Sequence, residues 1–193
     1  MIRSIRRSIL FFILVAAILA VGWFHFKTES IFRHVEAIVH AMEEGVHEGK
    51  AAPTFALPTL SGGIGEFNPK KGAHRYTMVH FFATWCYPCQ EEMPLIVEAE
   101  KRLSQQGDRF VAVNLTSEET STQEVKAFLT HFNAPFDPLL DKEGDIQKQY
   151  QIFGIPTTLI VDREGRIVRR INGAMDEGML TELPPFSVAG ANL

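Results

Sequence analysis

The chain has 193 residues, enough for one domain with a real core plus extra segments and too few for two ordinary domains. Hydrophobic residues make up 46% and charged residues 22%, a globular balance that excludes a disordered chain. The net charge is −4 and no block of like charge interrupts it, so no nucleic-acid partner is expected.

Arg3, Arg6 and Arg7 precede an apolar run from about Ile9 to Phe26. As a helix, roughly eighteen residues at 1.5 Å each span about 27 Å, near the lower limit for a bilayer core. Three arginines before the run, with no positive cluster directly after it, put the N-terminus inside and the remainder outside. Residues 1–27 are therefore read as a single-pass anchor in the cell membrane, with all that follows on its extracytoplasmic side. A cleaved signal peptide is the rival. Ala20-Val21-Gly22 is a poor cleavage site, and no cysteine follows the run for lipid attachment.

Residues 28–49 carry Ile31, Val35, Ile38, Val39, Met42 and Val46 at helical spacing, which predicts a helical stalk. His40 and His47 stand about two turns apart, too far for one chelate, so no metal is expected there. Lys50-Ala51-Ala52-Pro53 breaks the pattern and opens a domain over 50–183. Strands are predicted at Thr54–Leu57, Tyr76–Phe82, Phe110–Leu115, Thr157–Asp162 and Arg166–Ile171. Helices are predicted at Pro88–Gln106, ended by Gly107, and at Thr122–Phe132 and Asp145–Tyr150. Ser61-Gly62-Gly63 and Arg163-Glu164-Gly165 read as turns. Beyond Met175 a short helix at most fits before Pro184-Pro185, and 184–193 is a tail without assignment. This order indicates an α/β domain whose sheet is parallel in part and antiparallel at one edge.

The chain has two cysteines, Cys86 and Cys89. A structural framework uses more cysteines at wider spacing, and a bridge closing so short a loop stabilises little. A zinc site would need two more ligands, and no second Cys or His pair stands at ligand spacing. Redox chemistry remains. A thiol attacks a disulfide as its thiolate, and a helix N-terminus favours that charge. Cys86 falls at or just before the first turn, and Cys89 lies one turn on, placed to resolve a mixed disulfide. Pro88 suits the first turn, where its missing N–H costs nothing. No cofactor beyond the Cys86–Cys89 pair is implied.

Phe81-Phe82-Ala83-Thr84-Trp85-Cys86-Tyr87-Pro88-Cys89 resembles the thioredoxin active-site motif, and Gly154-Ile155-Pro156-Thr157-Thr158 resembles that family's cis-proline loop. More narrowly, the chain resembles the membrane-tethered TlpA/ResA-type oxidoreductases linked to cytochrome c maturation. Ala52-Pro53-Thr54-Phe55-Ala56-Leu57, Glu92-Met93-Pro94 and Ala112-Val113-Asn114 carry that likeness, which runs from about residue 50 to 180. It implies a thioredoxin-like fold, a central mixed sheet flanked by helices, behind an N-terminal transmembrane helix. It implies that Ile155, before Pro156, offers backbone groups to an extended substrate. It implies that Trp85 is a platform beside the dithiol, and that Glu92 raises a thiol pKa and passes protons. His80 stands where thioredoxin has a buried aspartate, so proton handling differs here.

The resemblance implies a thiol–disulfide oxidoreductase reducing exported proteins such as the Cys-x-x-Cys-His of apocytochrome c, with electrons from a membrane thiol donor. Two alternatives use the same dithiol. One is an oxidant that introduces disulfides, although the forty residues from Thr116 to Ile155 leave no room for the large helical insertion of DsbA-type oxidants. The other is a copper-binding maturation factor, although copper chaperones on this fold carry Cys-x-x-x-Cys.

Overall fold

The computed structural model describes residues 22–23 and 45–187. The anchor predicted over 1–27 and most of the stalk predicted over 28–49 lie outside the described residues. Among the described residues, no helix is long and apolar enough to cross a membrane.

The elements run β1 (Phe55–Pro58), β2 (Ile64–Phe67), β3 (Tyr76–Phe82), α1 (Tyr87–Gln106), β4 (Arg109–Asn114), α2 (Thr122–His131), β5 (Leu139–Leu140), α3 (Asp145–Gln149), β6 (Thr157–Asp162), β7 (Ile167–Asn172) and α4 (Glu177–Glu182). A five-stranded sheet is ordered β5-β4-β3-β6-β7, and β1 pairs with β2 in a separate hairpin. β3 runs parallel to β4 and antiparallel to β6. The predicted mixed sheet is thus present, with β6 and β7 as its antiparallel side.

β3 is apolar along nearly its whole length because both of its faces are covered. Met78 and Phe82 join a core with Cys89, Met93 and Ile96 of α1 and Val125, Phe128 and Leu129 of α2. Val79 and Phe81 join the opposite core with Phe55, Phe67, Ile146 and Tyr150. Strand alternation therefore puts His80 on the α1 face, between Met78 and Phe82.

α1 starts and stops for local reasons. Cys86 is its N-cap and Pro88 lies in its first turn. Gly107 ends it at φ 75°, a left-handed conformation that glycine adopts without Cβ strain. Asp108 N–H then reaches back to the Leu103 carbonyl at 2.9 Å.

The helical pattern over 28–49 does not hold at its end. Residues 45–50 are bends and turns that belong to the domain. Val46 is buried in the second core, and Gly49 N–H donates to Ile167 O at 2.8 Å. Arg170 fastens this segment. Its guanidinium donates to the carbonyls of Val46, Tyr150 and Gln151, each at 3.0 Å, while its own N–H donates to Glu48 Oε1. It ties the entry strap to the loop that leads to Pro156. Arg170→Met leaves three carbonyls without their charged donor, and the expected loss is about 3 kcal/mol in chemical denaturation. Amide exchange confined to residues 45–50 and 150–153 should rise with it. A variant as stable as wild type would show that the strap holds by Val46 burial alone.

The structure adds two strands absent from the sequence reading, β2 and β5. Tyr150 hydroxyl donates to the Pro53 carbonyl, which fixes the start of the domain against α3. Downstream of α4, Leu183 O accepts from Phe186 N–H, and Phe186 packs on the first core. Part of the predicted 184–193 tail is therefore folded, and 188–193 lies outside the described residues.

Candidate active site

β3 ends at Phe82, and Ala83-Thr84-Trp85 carries the chain from the carboxyl end of that central strand into α1. That loop is braced. Glu119 accepts from Thr84 N–H at 2.7 Å and from Thr84 Oγ1 at 2.5 Å, and Asn114 Nδ2 donates to the same carboxylate at 2.7 Å. Gln90 Nε2 closes the far side on Thr84 O at 2.7 Å. Glu119 was not singled out from sequence. Its one legible signal is its place just past the carboxyl end of β4, where open α/β sheets put their sites.

Cys86 and Cys89 are joined as a disulfide, with Cα atoms 5.2 Å apart. Cys89 N–H points at Cys86 Sγ, 3.3 Å away, so the first turn of α1 directs a donor at the outer sulfur. The first turn holds no acidic residue to offset the positive end of the helix. Cys86 retains 4% exposure and Cys89 none, which leaves Cys86 as the sulfur a substrate can reach. Pro156 is buried, and the Ile155–Pro156 peptide is cis. Cys86 Sγ lies 3.6 Å from the Ile155 carbonyl oxygen. The two segments singled out from sequence, sixty-nine residues apart, thus meet at one point. Trp85 and Tyr87 flank Cys86 and are largely exposed. Tyr87 hydroxyl donates to Glu91 Oε1 at 2.8 Å, and that bond holds the phenol pKa above its ordinary value.

Two titratable groups sit in the first core. Glu92 is 3% exposed, and its Oε1 accepts from Met175 N–H at 2.9 Å. Burial pushes its pKa up to about 7, against the opposing pull of that bond. Glu91, the adjacent carboxylate, is exposed, so the two differ in kind. His80 is fully buried, with Nδ1 2.9 Å from Thr158 Oγ1, and burial lowers its pKa to about 3. The imidazole is therefore neutral across the physiological range. His80 Nε2 and Glu92 Oε2 have no hydrogen-bond partner among the described residues. One core thus holds a neutral base and a carboxyl that titrates near neutrality, the range in which proton transfer is useful.

Exchange needs one reachable sulfur and a second sulfur on the same turn. The fold supplies both at one end of its sheet, beside the cis-proline loop, and it defines a thioredoxin-like thiol–disulfide oxidoreductase. The model of the Redoxin family matches residues 47–186, and the chain belongs to that family. It is 40% identical over 127 residues to the thioredoxin-like protein YneN of Bacillus subtilis, covering 65% of this chain and 71% of that one. It is 31% identical over 142 residues to the thiol-disulfide oxidoreductase ResA of the same organism, covering 74% and 76%. Among solved structures, StoA from Bacillus subtilis superposes with a TM-score of 0.57 at 28% identity, covering 67% of this chain and 95% of that one.

Proposed function

We propose that this protein reduces disulfides of exported polypeptides on the extracytoplasmic side of the cell membrane, held there by residues 1–27. The observation that carries the reading is the placement of Cys86 at the start of α1, 3.6 Å from the Ile155 carbonyl. Cys86 thiolate attacks one substrate sulfur, a mixed disulfide forms, and the other substrate sulfur leaves as thiolate. Cys89 thiolate then attacks Cys86 Sγ and releases the second substrate sulfur. The substrate gains two electrons and takes up two protons, and the Cys86–Cys89 disulfide is left behind. Each turnover therefore requires a donor, and a membrane thiol carrier can reach a tethered domain. Trp85 and Pro88 frame the attacking sulfur, Ile155 and Pro156 hold the substrate chain, and Glu92 carries a proton for the exchange.

The TlpA/ResA-type resemblance supports apocytochrome c as the substrate, through its Cys-x-x-Cys-His segment. A tether favours the same reading, because it confines the enzyme where membrane donors and newly exported chains both are. Deleting the gene should lower covalently haem-bearing cytochrome c, and external thiol should restore it. Normal cytochrome c in the deletion strain would overturn that substrate and leave the exchange chemistry standing. The reduction potential of the Cys86/Cys89 pair decides direction. A value near the roughly −270 mV of thioredoxin fits a reductant, and one near the roughly −120 mV of DsbA selects the oxidant.

A further inference from the structure

Five large apolar side chains stand exposed between residues 45 and 187, namely Ile64, Trp85, Tyr87, Phe153 and Met179. Three of them, Trp85, Tyr87 and Phe153, line a single cleft of about 330 Å³ that also includes Cys86. Scattered single exposures need no explanation, but a cluster around a reactive atom marks a binding surface. Phe153 is 94% exposed, so it contributes nothing to the core of its own domain. It sits two residues before Ile155, on the loop whose carbonyl faces Cys86 Sγ. The cleft floor is apolar, formed in part by Leu115 and Ile152. Glu118 is the sole charged residue among the described residues of the lining, and Gln147 Nε2 donates to its Oε1 at 2.7 Å.

We infer that Phe153 determines substrate specificity, closing the cleft over an apolar side chain next to the substrate's reacting cysteine. The inference rests on Cys86 being the sulfur that bonds to substrate. A polypeptide joined to Cys86 in a mixed disulfide and laid along Ile155 brings a flanking side chain to this cleft, which both residues line. Trp85, Leu115 and Ile152 receive that side chain, and Phe153 covers it. Glu118 disfavours an acidic residue there, so the occupant is an extended segment with an apolar neighbour to its cysteine and neutral or basic flanks.

Two synthetic peptides bridged by a disulfide, identical except for Leu or Ser beside the first cysteine, provide the test on the full-length chain. Burying one such side chain is worth about tenfold in kcat/KM, so wild type should prefer the Leu peptide by about that ratio. In Phe153→Ser the ratio should fall severalfold, because only Trp85, Leu115 and Ile152 are left to cover the side chain, and in Phe153→Leu most of it should return. An unchanged ratio in Phe153→Ser, or equal rates on both peptides with wild type, overturns the inference. Bis(2-hydroxyethyl) disulfide, which has no flanking side chain, separates the two failures. Wild type that reduces it but ignores the flank refutes only the role of Phe153. Wild type that reduces none of the three disulfides refutes the exchange reading itself.

Discussion

Cys86→Ser should lower disulfide reduction by on the order of a thousandfold or more, because it removes the one sulfur that a substrate can reach. Cys89→Ser should stop turnover equally well and fail differently. Its Cys86 still attacks, but nothing resolves the product, so mixed disulfides with substrate proteins accumulate. Non-reducing gels of cells expressing each variant distinguish the two. Adducts with Cys89→Ser and none with Cys86→Ser are expected, since Cys86 keeps 4% exposure and Cys89 is sealed behind it. Adducts on Cys86→Ser instead would mean that the roles are reversed. Neither change should unfold the domain, because the bridge closes a loop too short to restrict the unfolded chain much.

The second large effect is on stability against pH. The Glu92 carboxyl has a folded pKa of about 7 against an ordinary 4.5, so the folded state binds its proton more tightly than the unfolded chain. Its contribution is complete below pH 4.5 and is lost as pH rises to about 7, at ~1.4 kcal/mol per unit. His80 acts with the opposite sign. Its folded pKa of about 3 lies below an ordinary 6.5, so the unfolded chain binds that proton more tightly. Its contribution is full above pH 6.5 and disappears as pH falls toward 3. Between pH 4.5 and 6.5 the two slopes oppose each other, and wild type should be nearly flat in that window. Glu92→Gln exposes the His80 slope, so the variant should gain stability as pH rises from 4.5 to 6.5. By pH 8 it should exceed wild type by about 3 kcal/mol, relative to their difference at pH 4.5. Urea denaturation of both proteins at four pH values measures this. Parallel curves would mean that burial leaves the Glu92 carboxyl unshifted, and would remove its claim to carry a proton at the dithiol.

Much of the scaffold was legible because each element is announced by its own residues. The run Tyr76–Phe82 has strand length and continuous apolarity, so a strand covered on both faces was the direct reading. Gly107 supplies the left-handed turn that ends α1 after Gln106, the expected place. The β6–β7 hairpin was marked by Arg163-Glu164-Gly165, and β7 begins one residue later than expected, at Ile167. The short strands β2 and β5 were not legible. Ile64–Phe67 contains a glycine and alternates weakly, and a two-residue strand has no period to detect. Both exist because neighbours in space offer backbone partners, Phe55 to Phe67 for β2 and Val113 to Leu139 for β5.

The same division runs through the site. Sequence alone singled out the dithiol, since two cysteines one helical turn apart, next to a helix start, admit little besides exchange, and the structure joins them as a disulfide. It also marked Pro156 and Glu92 by their places in recognisable motifs. Only the tertiary structure decided what depends on distance across the fold. It set the Ile155 carbonyl against Cys86 from sixty-nine residues away, and it put Glu119 under Thr84. It buried Glu92 while leaving Glu91 in solvent, because α1 turns one face to the sheet and adjacent positions on a helix point about 100° apart. A pKa follows from burial, and burial is a property of the packed molecule, so the raised pKa of Glu92 and the lowered pKa of His80 were decided by the fold.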